Sequence, residues 1–255
     1  MYCSPFVVFW LAMRITGHTV LVTGGASGIG FAMAQRFLAE GNTVIICGRR
    51  EDKLREARGL LPGLATRVSD LADPLQRIEL AAWAVKQFPS LDVLVNNAGI
   101  QRRLSLLQTL EWDELHTELA INLEAPIHLS TLLVPHLRKM PQPAVINVSS
   151  GLAYVPLAIT PIYSATKAAI HSYTLSLRHQ LAPHVEVIEI APPAVNTDLG
   201  GPGLHTWGVP LDEFADAAFA QLRSGSTEIS YGFSEDAKQA TAEGRHEMFE
   251  RMNKR

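Results

Sequence analysis

His18-Thr19-Val20-Leu21-Val22-Thr23-Gly24-Gly25-Ala26-Ser27-Gly28-Ile29-Gly30 is the stretch that decides how this chain folds. A short β-branched run enters glycines spaced G-x-x-x-G-x-G, and the residues that follow, 31–40, have a helical texture. Glycines alone mark turns everywhere. Strand, glycines and helix in succession describe something narrower, a turn that cradles phosphate. Gly24 permits the tight turn, Gly28 lets the backbone approach a pyrophosphate, and Gly30 allows close helix–strand packing. The start of the helix adds free N–H groups and partial positive charge.

Working outward, short apolar runs recur at 19–23, 43–47, 66–68, 93–96, 144–149 and 186–191. Each is apolar on both faces and bounded by polar residues or glycine, as a strand covered on both sides should be. Helical patterns separate them at 29–40, 51–59, 74–87, 112–140 and 163–181. That alternation predicts right-handed crossovers and a parallel sheet: one doubly wound α/β domain of Rossmann type over residues 14–235. Pro126 and Pro135 predict a kink or break in the long pattern 112–140. The Gly- and Pro-rich segment 198–210 follows the C-terminal end of the last strand, the edge where open α/β sheets bind ligands, and reads as a substrate lid. Residues 236–255 read as a solvated polar tail. Residues 1–13, MYCSPFVVFWLAM, form an apolar extension too short to span a bilayer and without the charge pattern of a signal peptide. They read as sequence upstream of the true start.

Charge and composition narrow the function. With 22 basic and 25 acidic residues the net charge is −3, and 47% of residues are hydrophobic. That balance builds a full core and excludes a disordered chain. It also argues against a nucleic-acid binder, which carries a basic stripe. Two cysteines, Cys3 and Cys47, make no disulfide framework or metal set, and the nine histidines show no metal-ligand spacing. The expectation is a protein of the reducing cytoplasm, with no metal, membrane or nucleic-acid partner.

Further motifs follow the glycine turn in order: Asp70, Asn96-Asn97-Ala98-Gly99, Asn122, Asn147-Val148-Ser149-Ser150, and Tyr163-Ser164-Ala165-Thr166-Lys167. Together they resemble the short-chain dehydrogenase/reductase family over nearly the whole chain. The run 150–201 is most similar to the DltE-type bacterial oxidoreductases. The resemblance implies a nicotinamide dinucleotide as cofactor, held by Gly24, Ser27, Gly28, Ile29 and Gly30. It adds Asp70 and Leu71 at the adenine and the turn Asn97, Ala98 and Gly99 beside its ribose. Val195 and Thr197 fall at the carboxamide. In place of the usual acid after the second strand, which binds the ribose 2′-OH of NAD, stand Gly48-Arg49-Arg50. A guanidinium at Arg49 matches a phosphate, so NADP(H) is expected in preference to NAD(H).

Tyr163 and Lys167 lie four apart and share a helix face. An ammonium beside a phenol favours the phenolate, so Lys167 is expected to lower the Tyr163 pKa and make it the acid/base for a carbonyl or alcohol. Lys167 also belongs, by resemblance, at the nicotinamide ribose. Ser150, thirteen residues before Tyr163, is placed to hold the substrate oxygen. Asn122 completes the family tetrad, positioning a water that leads from the lysine to solvent. The usual glycine three residues later is Ala125. Where the family often has P-G, this chain has Pro192-Pro193. Leu152, Ala153, Tyr154, Pro193 and Leu199, with Trp207 from the lid, then suggest an apolar pocket for a ketone, an aldehyde or a secondary alcohol. His128, His171 and His179 read as surface or interface residues of a homodimer or homotetramer. The alternative is a catalytically silent cofactor-binding regulator of the same fold, which the intact tyrosine and lysine disfavour.

Overall fold

A computed structural model describes residues 15–254, so the apolar extension 1–13 lies outside the described residues. Seven strands form one sheet in the order β3-β2-β1-β4-β5-β6-β7, every neighbouring pair parallel. They are β1 (Thr19–Thr23), β2 (Thr43–Gly48), β3 (Ala65–Val68), β4 (Leu91–Asn96), β5 (Ala144–Val148), β6 (Glu186–Ala191) and β7 (Glu228–Ser230). The helices are α1 (Gly28–Ala39), α2 (Glu51–Leu60), α3 (Pro74–Gln87), α4 (Trp112–Leu119), α5 (Ala125–Leu137), α6 (Pro161–Leu181), α7 (Leu211–Arg223), α8 (Phe233–Gln239) and α9 (Ala242–Met252). The strand order reverses between β3-β2-β1 and β4 onward. That topological switch is where open α/β sheets place their ligands.

The strands are apolar throughout because alternate residues feed two cores. Val20, Val22, Ile46, Val93 and Ile190 pack with Phe37, Phe214 and Phe219 on the face covered by α1 and α7. Leu21, Ile45, Leu94, Val145 and Val187 pack with Leu129, Leu133, Leu137 and Leu177 of α5 and α6 on the other. The Phe37 and Phe219 rings meet edge-on, 4.8 Å apart, and lock α1 against α7. Asp73 accepts from the amide of Leu75, and Pro74 opens α3, so its start is written locally.

Three features differ from the sequence reading. The long helix runs on through both prolines and is interrupted only by a π-helical turn at residues 120–124, between α4 and α5; Pro135 is carried inside α5. Pro126 directly follows that turn and, having no N–H, cannot give the α-helical bond to the carbonyl four residues back, which accords with the wider turn there. Strand β7 and helix α7 extend the sheet and its cover beyond the six strands and five helices expected. The tail is not a bare solvated helix: the boundary at 235 falls inside α8, and Asn253 donates to Pro156 O (3.2 Å) and accepts from Ala158 N (2.6 Å). Among the described residues, no helix is long and apolar enough to cross a membrane.

Candidate active site

The C-terminal ends of the central strands open into one long cleft, lined from the glycine turn to Met252. At one end the chain leaves β1, Gly24 adopts φ +64°, and a Cβ there would sit 2.8 Å from Ala98 Cα. Only glycine allows that approach of two strand ends. Asn97 secures it, donating from Nδ2 to Thr23 O (2.9 Å) and Gly24 O (3.3 Å). Helix α1 begins at Gly28. Ser27 before it makes no capping bond from its side chain, so the first-turn amides and a hydroxyl face the cleft unspent. This cradle and donor set fit a pyrophosphate. Arg49 and Arg50 stand on the wall past β2 with Lys53 beside them. Asp70 and Leu71 line the same end, and the Asp70 carboxylate also accepts from Ala72 N at 3.0 Å.

The other end gathers the four residues expected to be catalytic. Tyr163, Lys167, Ser150 and Asn122 are all buried. Lys167 Nζ donates to Val148 O (2.8 Å) and lies 5.5 Å from the centre of the Tyr163 ring, so β5 and α6 meet through it. Ser150 follows β5 in extended backbone, and its hydroxyl accepts from Leu152 N at 3.1 Å. Asn122 sits in the π-helical turn, outside the cleft lining. Its amide takes Ile100 N (2.9 Å) and gives to Ile100 O (2.8 Å), which pins the chain just after Gly99. A Cβ on Gly99 would lie 3.5 Å from Asn122 Oδ1 and 3.7 Å from Lys167 Nζ, so the Asn97-Ala98-Gly99 turn closes directly onto the lysine.

Electrostatics correct one expectation. Tyr163 is held above the ordinary tyrosine range, by burial first. The Ser150 hydroxyl pulls it down, and the Glu118 carboxylate adds a further push upward. Burial also brings Lys167 down to about 8. A dry pocket penalises phenolate and ammonium alike, so desolvation outweighs the attraction expected between them. Glu118 itself escaped the sequence reading. It is fully buried, and burial raises it to about 7 against the smaller downward pull of the Arg102 backbone N–H and guanidinium. An acidic residue in an amphipathic helix carries no sign of burial, so only packing reveals it.

The substrate end is mostly as expected, with one clear exception. Leu152, Pro193, Leu199 and Trp207 line the cleft, as do Val195 and Thr197, whose methyl faces Gly28. Tyr154 does not. It turns away and packs edge-on against His171, ring centres 5.0 Å apart, with Arg245 over its other side at 5.6 Å. Nor does its neighbour Ala153 face the cleft. His171 in turn is no plain surface residue, because its Nδ1 lies 2.8 Å from the buried Glu189 carboxylate. Phe233, which opens α8, and Met252 from the tail add apolar lining. Segment 198–210 leaves and rejoins one anchor: Asn196 N donates to Val209 O and Val209 N to Ala194 O, both 2.9 Å. Between them Gly200, Gly201 and Gly203 take positive φ.

Comparison with known proteins agrees with this geometry. Residues 18–204 match the model of the short chain dehydrogenase family. The uncharacterized oxidoreductase DltE of Bacillus subtilis (strain 168) is 46% identical over 250 residues, covering 94% of this chain and 98% of the relative. A short-chain dehydrogenase from Burkholderia cenocepacia J2315, solved with NADP, superposes with a TM-score of 0.81 at 27% identity, covering 94% of this chain and 99% of that one. The 3-ketoacyl-(acyl-carrier-protein) reductase from Brucella melitensis, solved with NADH, gives 0.77 at 25% identity, covering 87% of this chain and all of that one. With a matching family model over most of its length and a parallel seven-stranded sheet, this chain is an oxidoreductase of the short-chain dehydrogenase/reductase family.

Proposed function

We propose that the protein is an NADP(H)-dependent oxidoreductase of ketones or aldehydes and the corresponding alcohols, with Tyr163 as acid/base. The observation that carries this reading is the meeting of Tyr163, Lys167 and Ser150 in one cleft with the free amides of α1. Gly24, Ser27, Gly28, Ile29 and Gly30 would hold the pyrophosphate, Asp70, Leu71 and Asn97 to Gly99 the adenosine half, and Val195 and Thr197 the carboxamide. Arg49, backed by Arg50, would take a 2′-phosphate. When bound, the nicotinamide supplies or accepts a hydride.

The protein's own part is the proton and the oxygen. Ser150 holds the carbonyl oxygen. The pocket that keeps Tyr163 protonated suits it to donate to that oxygen as charge develops there. Lys167 fixes the β5–α6 junction through Val148 and orients the ribose beside Tyr163. In the oxidative direction Tyr163 takes the proton back. The cleft walls favour an apolar substrate, and helices α5 and α6 form the face for a dimer or tetramer, which size-exclusion chromatography checks.

The test is NADPH oxidation with a panel of aromatic ketones and aliphatic aldehydes, NADH run in parallel. Tyr163→Phe is expected to lower kcat by about 10²- to 10⁴-fold while NADPH binding by fluorescence stays within a few-fold. Tight NADPH binding with no turnover of any carbonyl or alcohol would favour the silent regulator.

A further inference from the structure

Behind the wall that carries Ser150, on the face of the sheet covered by α6, lies a polar row that the hydride chemistry does not use. Asn96, Asn147, Glu189 and Glu228 stand in direct register across β4, β5, β6 and β7. The two amides bridge the strands and reach their cover: Asn96 Nδ2 donates to Asn147 Oδ1 (2.9 Å), and Asn147 Nδ2 donates to Thr174 Oγ1 (2.9 Å). Glu228 binds Arg178 and Lys238 at the sheet edge, at 2.8 and 2.7 Å. Glu189 is different. Its side chain is 2% exposed in mid-sheet, and it accepts from the Ser149 hydroxyl (2.5 Å) and from His171 Nδ1 (2.8 Å to Oε2, 3.0 Å to Oε1).

A neutral amide bridges strands at 96 and 147, so bridging alone does not require a charge at 189. A buried carboxylate costs several kcal/mol of desolvation unless strong donors meet it. An ionised carboxylate is acceptor only, so Ser149 must donate its proton and His171 must carry one on Nδ1. These donors belong to the two elements that bear the catalytic side chains. Ser149 precedes Ser150, and adjacent residues in extended backbone point to opposite faces, so fixing one hydroxyl sets the rotation of the other. His171 lies one turn beyond Lys167 and two beyond Tyr163 on α6. Glu189 therefore straps the end of β5 to α6.

We propose that Glu189 and His171 are positioning residues for Ser150, holding it in register with Tyr163 through Ser149. The proposal rests on the reading of Ser150 as the group that holds the carbonyl oxygen. Losing either donor leaves the buried carboxylate short of a partner, and the strap between β5 and α6 loosens. The groups facing the His171 ring are Glu189 from β6 and Tyr154 from the turn after β5, with Arg245 of α9 over Tyr154. Arg178 of α6 and Glu228 of β7 are the next charges felt at Tyr154, and Lys238 of α8 pairs with Glu228.

The experiment follows the backbone amides of Ser150 and Gly151 by NMR in the full chain, alongside carbonyl reduction with NADPH. The expected result is that both amides move from their wild-type positions in His171→Gln and Glu189→Gln. Both variants, and Ser149→Ala, should lower kcat by about 10- to 100-fold with KM for NADPH unchanged. His171→Gln and Ser149→Ala leave the buried carboxylate in place, so the test does not depend on Glu189→Gln folding. Ser150 and Gly151 amides that stay at their wild-type positions, or kcat within twofold of wild type in these variants, would overturn the proposal. Ser150→Ala separates the two readings. Loss of turnover in Ser150→Ala with normal Glu189 and His171 variants removes only the positioning role, whereas full activity in Ser150→Ala removes the reading of Ser150 itself.

Discussion

Lys167 shows how a single residue trades stability for chemistry. Its ammonium is buried and its pKa falls from 10.5 to about 8, so the folded state binds its proton less tightly than the unfolded chain does. Below pH 8 both states are protonated and the full cost applies; it shrinks through the window from 8 to 10.5 and is gone above it. Lys167→Met should therefore abolish turnover yet stabilise the protein at pH 7, by up to about 3 kcal/mol, with the gain vanishing near pH 10.5. Urea unfolding at the two pH values measures this directly. Arg49 makes the complementary case at the cofactor end. It lines the cleft where an acid would repel a phosphate. Arg49→Asp is expected to weaken NADPH binding at least tenfold more than NADH binding, and equal losses in fluorescence titrations would contradict the assignment. The residue types of both positions were legible in the sequence. The sign of the Tyr163–Lys167 balance was not, because desolvation depends on what surrounds a group and spacing does not encode it.

At the scale of elements, the glycine turn was readable because each of its glycines answers a local geometric need. A Cβ on Gly30 would collide with the Asn97 amide and the Gly24 carbonyl, the contacts that join β1, α1 and β4. Gly30→Ala should destabilise the fold by about 1–3 kcal/mol. It should also cut cofactor affinity more than Gly59→Ala, whose Cβ meets nothing within 4 Å. Thermal melts with and without NADPH check both. The long helix was legible as a length of pattern, and its break was anticipated from Pro126 and Pro135. What interrupts it instead is the π-helical turn that holds Asn122 against Ile100, with the helix continuous on both sides. No residue within 120–124 advertises it, because the extra residue per turn is selected by the tertiary contacts of Asn122 with a distant loop. Strand β7 was missed for a related reason: three residues, Glu228–Ser230, carry too little pattern to show a period. Helix α7 did carry a signal, with Asp212 and Glu213 in its first turn and Phe214, Ala218 and Leu222 on one face.

At the scale of the whole molecule, the tail closes what the sheet opens. Helix α9 has no fully buried residue, yet Met252 lines the cleft and Asn253 ties down the chain at 156 and 158. Removing residues 242–255 should lower Tm by only a few degrees while raising KM for apolar carbonyls about tenfold, since little core is lost but one wall of the pocket goes. A calorimetric scan and steady-state kinetics separate those effects. The sequence by itself determined the doubly wound sheet, the family, and which residue types stand at the glycine turn and at positions 122, 150, 163 and 167. Those depend on periodicity and on residue types whose chemistry is local. Only the tertiary structure decided that Tyr154 turns from the pocket to His171, that Phe233 and Met252 line the cleft, and that Glu118 and Glu189 are buried. Burial and pairing are set by residues far apart in the chain, and a side chain's charge state follows from the dielectric that those distant partners create.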